Sequence, residues 1–363
     1  DAVSNALLRE DSSRARQAPA PARPAKSIRG DIFSFFDRAL PHVSAVDRLL
    51  LLARFSRAHG RLPRNPARRD ATFNDMIFNR LVRADWNSLE RVCVDKEYVK
   101  LFARAVCPQL RTAATAAVIR LDRSSRLDIV ESALLARAGQ NLVAKPTHAS
   151  GMILFLRKNP SRQEINRFCI EASQSYYRRS RESLYAGMER KILIEEDLSS
   201  DDCAPVDYKF FCARGNVFFC QIDVGRFTYH QRALVTPAFE PIGVRYMHDV
   251  PPGALTRPHN FPCMIDIAKK LSAFFSFVRV DLYSIRGVVF LGELTLAPEG
   301  AAGSLSDESF GARVMAGIRT ANRSPEAGSG EDIFRTNAAG PTASSNTSDA
   351  ANSHRDNVEH HVA

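Results

Sequence analysis

Long apolar runs are missing from this 363-residue sequence. A helix that crosses a bilayer needs about 20 consecutive apolar residues, whereas the longest candidate, 49–53, is a short stretch inside an amphipathic segment. Residues 1–30 also lack the apolar core of a secretory signal. The sequence therefore predicts neither a membrane-spanning helix nor a signal peptide, and its start at Asp1 without a methionine is compatible with a fragment.

Paired cysteines are missing as well. The seven cysteines are odd in number and widely spaced, and no two of them form a CxxC pair. This spacing argues against a disulfide framework and against a zinc site. It favours a protein of a reducing compartment, and we expect a cytoplasmic location.

The positive charge is unevenly distributed. The formal net charge is +10, and residues 1–70 hold 14 Lys and Arg against 7 Asp and Glu, a surplus of 7 in less than a fifth of the chain. Residues 1–40 are rich in Ala, Pro, Arg and Ser, which predicts a disordered basic arm that contacts an anionic membrane or polymer. Nucleic acid is not an expected partner, because the arm lacks the interleaved aromatic residues that stack on bases.

The rest of the chain has enough apolar residues, 45% overall, to bury a sizeable core. Apolar residues recur at helical spacing in four segments, which predicts helices at 43–57, 73–82, 97–106 and within 258–273. We expect a helical or mixed α+β region over 41–135. After Arg313 the composition is dominated by small and polar residues, which predicts a disordered tail over 313–363.

The segment 141–157 is predicted to be strand, loop and strand. Lys145 precedes the loop and a β-rich run follows it, whereas a Walker-type loop runs from a strand into a helix and ends in Gly-Lys-Ser/Thr. The small residues of THASG, 147–151, supply backbone N–H groups that can fold over phosphates. The alternative is an ordinary hairpin loop with one exposed lysine.

A second hairpin is predicted over 206–223, with its turn at Arg214 and Gly215. The segment after it, GRFTYHQR, places three cationic or titratable side chains in a predicted loop, namely Arg226, His230 and Arg232. Such a cluster suits a carboxylate or a phosphate. The alternative is a solvated surface loop.

The segment 277–295 predicts two strands joined by a turn near Gly287. If Ser284 pairs with Val288, Phe290 and Leu294 join the apolar face of the hairpin. Side-chain alternation then gathers four polar residues on the other face, Arg279, Asp281, Glu293 and Thr295. Carboxylates beside an arginine can bind Mg²⁺ and stabilise a transferring phosphoryl group, but a cross-strand ion pair on a solvated face explains the pattern equally well.

Seven segments together resemble one protein family, the TupA-like (teichuronopeptide biosynthesis) branch of the ATP-grasp proteins. They are TFND (72–75), VDK (94–96), KPTHASG (145–151), DYKFFC (207–212), RFT (226–228), FVRVDLY (277–283) and GELT (292–295). The resemblance covers roughly 57–310. It implies an α+β ATP-grasp fold in which two α+β subdomains, here 136–200 and 201–312, close over ATP after a helical N-terminal segment.

The resemblance also implies roles for individual residues. The implied nucleotide-binding residues are Lys96, Lys145, His148, Ser150, Gly151, Glu195, Glu196 and Lys209. In the family pattern the first two lysines hold the α- and β-phosphates, the loop covers the phosphates, and one of the two glutamates marks the hinge that reads adenine. The implied Mg²⁺ ligands are Asp281, Glu293 and Thr295. Lys209, facing the γ-phosphate, and Arg279, at the acyl-phosphate step, are the implied catalytic residues.

The implied activity is that of an ATP- and Mg²⁺-dependent carboxylate–amine ligase that works through an acyl phosphate in cell-wall or extracellular polymer biosynthesis. Its partners would be a carboxylate substrate, held by Arg226, His230 and Arg232, and an amine acceptor. The chain departs from the family pattern at Ala149, at Met152 and in 298–303, where stiffer residues replace commoner ones. A non-catalytic nucleotide-binding or scaffold protein of the same pathway is the second hypothesis.

Overall fold

The computed structural model describes residues 44–121, 126–199, 205–225, 229–253 and 255–323. The predicted basic arm, 1–40, and the predicted tail beyond 323 lie outside the described residues. Within the described part of the chain, no helix is both long and apolar enough to cross a membrane.

The described residues form mixed helices and strands in the order expected from the sequence. The strands are β1 (Arg111–Thr112), β2 (Thr115–Arg120), β3 (Leu142–Pro146), β4 (Leu154–Phe155), β5 (Lys191–Glu196), β6 (Asp207–Ala213), β7 (Asn216–Val224), β8 (Gln231–Val235), β9 (Val278–Ile285) and β10 (Val288–Thr295). The helices are α1 (Ser44–His59), α2 (Phe73–Arg83), α3 (Ser88–Val94), α4 (Tyr98–Val106), α5 (Leu127–Leu135), α6 (Arg162–Ala172), α7 (Tyr176–Ser180), α8 (Phe261–Ser272) and α9 (Glu308–Arg323). Short 3₁₀ segments occur at Leu156–Lys158, Ser183–Tyr185 and Pro298–Ala301.

The larger sheet has the strand order β1-β10-β9-β6-β7-β8, and only its β1–β10 pair is parallel within the described residues. Successive side chains of β6 point to opposite faces. Phe210 lies 5.6 Å from the ring of Phe261 on α8, and Phe211 lies 5.6 Å from the ring of Phe73 on α2. Helices therefore cover both faces of this sheet, which explains its near-continuous apolar strands.

The smaller sheet has the order β2-β5-β3-β4, and α5 and α6 pack on it. Leu134 of α5 and Ile165 of α6 share its core with Ile192 and Ile194 of β5. The helices α1–α4 instead contribute to the core of the larger sheet. The segments β2 and α5, which the sequence analysis assigned to the region 41–135, thus pack with the smaller sheet.

The turn of the β9–β10 hairpin differs from the prediction. Arg286 and Gly287 have φ values of 49° and 80°, so they form the two-residue turn that requires positive φ at both positions. Ser284 consequently pairs with Val289 rather than with Val288. Near the turn the buried residues are Val289 and Leu291, and Phe290 is only half-buried.

A β-bulge then corrects the register of this hairpin. The pairing shifts between Leu291 and Glu293, after which Glu293 pairs with Asp281 and Thr295 pairs with Arg279. The extra residue is Gly292, where a Cβ atom would lie 3.1 Å from the Asp281 carbonyl oxygen. The bulge thus returns the polar side chains to one face, as predicted, although the assumed pairing was wrong.

The predicted tail begins too early. Residues 313–323 continue α9 and bury Val314, Met315, Ile318 and Ala321. These four residues recur at helical spacing and pack along one face. The sequence from 313 onward is polar on average, so its average composition did not reveal the four apolar residues along one face of the helix.

Candidate active site

In the described part of the chain, three adjoining cavities lie along the cleft between the two sheets. A small cavity of about 100 Å³ and a central cavity of about 330 Å³ share Lys145, Ile153 and Tyr283 in their walls. The central cavity and a large cavity of about 410 Å³ share Lys96 and Glu293. The cleft therefore offers one continuous path from a narrow end to a wide, polar end.

The small cavity combines an apolar wall with the end of β5. Its apolar residues are Val143, Ile153, Phe155, Leu198, Pro205 and Tyr283. Glu195 and Glu196 line the same cavity, and their role as the adenine hinge stays a prediction. Burial by itself would raise the pKa of Glu195, but ion pairs with Lys145 and Lys100 lower it, so this carboxylate stays charged.

The loop 147–151 joins β3 to β4 and borders the central cavity through Ser150 and Gly151. Lys96 Nζ donates a hydrogen bond of 2.5 Å to the Ala149 carbonyl oxygen, which ties the lysine to the loop. Gly151 has a φ of 75°, whereas Ala149 does not have positive φ. Alanine at 149 therefore introduces no backbone strain.

His148 does not reach the cleft. Its side chain is buried, its Nε2 lies 3.2 Å from the Gln174 carbonyl oxygen, and it lines none of the three cavities. The predicted contact of His148 with nucleotide stays a prediction, and the buried position of the side chain does not support it. Side-chain direction within a loop is set by such tertiary contacts rather than by the sequence of the loop.

The base of the loop rests on a buried ion network that the sequence analysis missed. Lys191 is fully buried and lies 3.0 Å from Asp95 Oδ2 and 2.5 Å from Glu97 Oε2. Asp95 accepts a 3.1 Å hydrogen bond from Thr147, and the Thr147 N–H donates to the Lys191 carbonyl oxygen. Asp95 adjoins Lys96 in the segment VDK, which was the only sequence signal for this network.

The polar face of the β9–β10 hairpin lies in the cleft and is largely buried. Arg279 donates two hydrogen bonds of 2.7 Å to Asp281 and one of 3.1 Å to Thr295 Oγ1. Glu293 lies 3.7 Å from Arg279 and 3.8 Å from Lys96, and 31% of its side chain is exposed. Because the Asp281 side chain is only 2% exposed, the alternative of an ion pair on a solvated face is wrong.

This arrangement fits an Mg²⁺ ion that is shared with a bound phosphate. Within the described residues, no group of three or more acidic, His or Cys side chains forms a dedicated metal site. Mg²⁺ typically uses one or two carboxylates together with phosphates and waters, and Asp281 and Glu293 are paired on adjacent strands at the central cavity. Thr295 borders the large cavity, where it donates a 3.3 Å hydrogen bond to Glu293.

Lys209 of β6 is surrounded by three aspartates. Its Nζ lies 2.9 Å from Asp207, 3.4 Å from Asp281 and 3.8 Å from Asp223. All four side chains are buried, and Lys209 lines the large cavity. One ammonium group therefore offsets carboxylates from three strands at the point where the central and large cavities meet.

Arg232 belongs to strand β8 rather than to the predicted loop, and because it is 3% exposed the alternative of a solvated surface loop is wrong at this position. It donates hydrogen bonds of 2.7 and 3.3 Å to Asp223, and His230 Nε2 lies 3.4 Å from the same carboxylate. Arg232 Nη1 is buried without a hydrogen-bond partner. Arg226 lies outside the described residues, so its position relative to this pair stays a prediction.

Asp223 is held in its charged form. Burial by itself would raise its pKa, but the hydrogen bonds and charge of Arg232, with a further contribution from Lys209, lower the pKa to about 2. This group contributes stability above its unfolded pKa and loses that contribution only as the pH falls through about 2. The Arg232–Asp223 pair therefore persists across the neutral range.

Several residues of the large cavity were not found from the sequence. They are Arg54, Tyr176, Glu182, Tyr185, Asp223, His248 and Glu299. Most of them lie outside the family-like segments and have no recognisable spacing. Glu299 was detectable only through the unusual segment 298–303, where Glu299 and Ala301 have φ values of 53° and 66°.

A comparison of the chain with models of known protein families gives a match. A family model described as TupA-like ATPgrasp matches residues 86–315. The predicted extent began earlier, and the segment TFND at 72–75 lies outside the match. A comparison with curated protein sequences gives no match.

Solved ATP-grasp structures show a distant likeness. D-alanine–D-alanine ligase from Bacillus anthracis with ATP has 15% identity and a TM-score of 0.29, with 56% of this chain and 54% of that chain covered. D-alanyl-alanine synthetase A from Vibrio cholerae has 13% identity and a TM-score of 0.33, with 56% and 55% covered. The ligase PsnB with a precursor variant, Mg and ADP has 10% identity and a TM-score of 0.32, with 61% and 58% covered.

The chain spans a little over half the length of these three structures. TM-scores this low carry no functional inference, so the ligands of those proteins are not transferred to this chain. The family match does support an assignment, because it covers well over half of the 363 residues. The chain belongs to the TupA-like ATP-grasp family, and its α+β fold is an ATP-grasp fold.

Proposed function

We propose that this protein is an ATP- and Mg²⁺-dependent carboxylate–amine ligase. One observation carries the proposal: two lysines from the phosphate-loop side, Lys96 and Lys145, and two carboxylates from the opposite hairpin, Asp281 and Glu293, line the same 330 Å³ cavity. Lysines on one wall and paired carboxylates on the other suit a triphosphate with its Mg²⁺. Membership of the ATP-grasp family supports the same general activity.

The proposed reaction has two steps. An oxygen of the substrate carboxylate attacks the γ-phosphorus, the bond to the bridging oxygen of ADP breaks, and an acyl phosphate forms. The amine nitrogen then forms a bond to the acyl carbon as the bond to phosphate breaks, which gives an amide and inorganic phosphate. Bound Mg²⁺ would neutralise phosphate oxygens, with Asp281 and Glu293 as its protein ligands.

The protein contributes position and charge to these steps. Lys96 is tied to the loop carbonyl of Ala149, and burial lowers its pKa, so a bound phosphate would supply the charge that favours its ammonium form. Lys209 and Arg279 line the large cavity and contact Asp281 of the central cavity, so they would stabilise the charge of the transferring phosphoryl group. Enclosure of the cleft would protect the acyl phosphate from water.

The carboxylate substrate is proposed to bind in the large cavity beside β8. Arg232 Nη1 is buried and unpartnered there, and His230 lies next to it on Asp223. A guanidinium N–H without a partner is costly to bury, so a ligand carboxylate would satisfy it. Arg226 remains a predicted third member of this site.

A screen for ADP formation tests the proposal directly. The purified chain would be incubated with ATP and Mg²⁺ and with uronic acids, amino acids or short peptides as acids, and hydroxylamine would trap any acyl phosphate as a hydroxamate. We expect acid-dependent ADP and hydroxamate with at least one class. Tight ATP binding without turnover on any acid would instead support the non-catalytic nucleotide-binding or scaffold hypothesis.

Selectivity for ATP over GTP is expected from the apolar wall and β5 end of the small cavity, which we propose as the adenine site. At about 100 times its Kd, ATP should stabilise the fold by roughly 2.7 kcal/mol, measured as a rise in melting temperature. Inorganic tripolyphosphate serves as the control that isolates the phosphate contribution. Equal protection by GTP and ATP would contradict the assignment of the base site.

The biological setting is proposed from the family alone. Its name points to cell-wall or extracellular polysaccharide and polypeptide biosynthesis, with the chain acting in the cytoplasm. Contact of the basic arm, 1–40, with an anionic membrane or polymer also stays a proposal, because the arm lies outside the described residues.

A further inference from the structure

Glu182 is an unpartnered carboxylate in the wall of the large cavity. It precedes the 3₁₀ segment Ser183–Tyr185, and its side chain makes no hydrogen bond or ion pair with any described residue. Glu182 is half-buried in this wall, and a carboxylate partly removed from water normally has a cationic or hydrogen-bonding partner. The missing partner of Glu182 is therefore expected to come from a ligand.

The charged neighbours of Glu182 interact with other residues of the protein. Arg54 of α1 donates its hydrogen bonds to the carbonyl oxygens of Arg179 and Ser180. Glu299 lies 3.3 Å from Arg232, with which it forms an ion pair. Neither residue compensates Glu182 directly, and Glu299 adds a second negative charge to this part of the cavity.

Two aromatic rings line the same cavity. The rings of Tyr176 and Tyr185 are 4.8 Å apart in an edge-to-face arrangement. The guanidinium of Arg179 already lies 5.2 Å from the ring centroid of Tyr176. The ring of Tyr185 would attract an organic cation beside Glu182, because the ring quadrupole attracts positive charge. A neutral donor could hydrogen-bond to Glu182, but a cation would in addition be attracted by the negative charge of Glu299, which would repel an anionic ligand group.

We propose that Glu182, with Tyr176 and Tyr185, binds the ammonium group of the amine acceptor and takes up its proton before attack. The inference rests on the proposed ligase function and assigns the acceptor to a chemical class, primary amines that arrive as cations. The acceptor would thus enter from the Glu182 end of the large cavity, while the acid binds at Arg232.

The proton balance of the step is complete. Glu182 removes one proton from the ammonium group, and the nitrogen lone pair forms the bond to the acyl carbon. The carbon–oxygen bond to phosphate breaks with its electron pair on phosphate. The second proton of the nitrogen passes to the leaving phosphate, and Glu182 returns its proton to water.

The electrostatics agree with this role. Burial raises the pKa of Glu182 to about 8, Arg54 opposes that rise, and Glu299 adds to it. The facing groups that could titrate with it are the hydroxyls of Tyr176 and Tyr185, and their pKa values are raised by burial, away from neutrality. Binding of a cation below pH 8 should therefore release one proton from Glu182.

Glu182→Gln tests the inference through the KM of the amine. With a panel of the twenty amino acids, their amides and amino sugars, we expect the variant to raise the KM for the accepted amine about 10- to 100-fold. The wild-type KM should fall by up to about tenfold per pH unit between pH 6 and 8, and the variant should lose this dependence. Glu189→Gln, at an exposed glutamate paired with Arg120, is the matched control.

Hydroxylamine separates this inference from the proposed function, because it is an uncharged nucleophile at neutral pH. Glu182→Gln should lose ligation to cationic amines by a much larger factor than it loses hydroxamate formation. Three results would each overturn the role of Glu182. The first is an equal loss of both products, and the second is an unchanged KM for the amine. The third is a wild type that forms hydroxamate but accepts no amine of the panel. Absence of acid-dependent ADP in the wild type would instead refute the ligase function.

Discussion

Glu293→Gln is expected to lower ATP turnover by several orders of magnitude while the fold survives. The substitution removes one of two carboxylates that would hold Mg²⁺ against the triphosphate, so the phosphate charge is left poorly neutralised. The Glu293 side chain is 31% exposed, so solvent screens its charge, and its substitution should cost only about 0–1 kcal/mol of stability. Phosphate release and thermal unfolding measure the two effects.

Glu189→Gln again serves as the control for Glu293→Gln, since it removes an exposed glutamate remote from the cleft. Asp281→Asn should abolish turnover too, but it should also destabilise the fold, because Asp281 is buried and holds Arg279 through two 2.7 Å hydrogen bonds. Wild-type phosphate release by both Glu293→Gln and Asp281→Asn would refute the metal assignment.

Lys209→Met is expected to destabilise the fold by about 3–5 kcal/mol, because it leaves buried charges without their partner. The lysine lies within 4 Å of Asp207, Asp223 and Asp281, so its removal takes away one positive charge that these three buried carboxylates share. The deficit should shrink as the pH is lowered, because protonation of the clustered carboxylates removes their mutual repulsion.

The melting temperatures of Lys209→Met and the wild type, compared at pH 7.5 and pH 5, measure this effect. Lys269→Met, at an exposed lysine of α8, is the matched control and should lie within about 0.5 kcal/mol of the wild type. A Lys209→Met variant as stable as the wild type at pH 7.5 would show that the three aspartates do not depend on the ammonium group.

The sequence by itself determined the local elements of this protein and its family. Strand Lys191–Glu196, the turn at Arg214 and Gly215, and the strand–loop–strand around Lys145 are all present as predicted. Such elements depend on side-chain alternation, helical spacing and residues that accept positive φ, all of which act over a few neighbouring residues. Seven short segments in order then identified the family, which the match over 86–315 confirmed.

The shared polar face of Arg279, Asp281 and Glu293 was also predicted, but for an incomplete reason. The assumed pairing was wrong near the turn, and the bulge at Gly292 compensated for it. A bulge depends on how one strand packs against its neighbours, so the hairpin sequence alone does not specify it.

Only the tertiary structure decided how charges are compensated within the cleft. It buried His148 away from the cavities, set Arg232 on β8 against Asp223, and surrounded Lys209 with aspartates from three strands. It also left Glu182 without a partner, although nothing near it in the sequence marks it. Burial and ion pairing arise between residues that are distant in the chain, and local sequence patterns do not encode those distances.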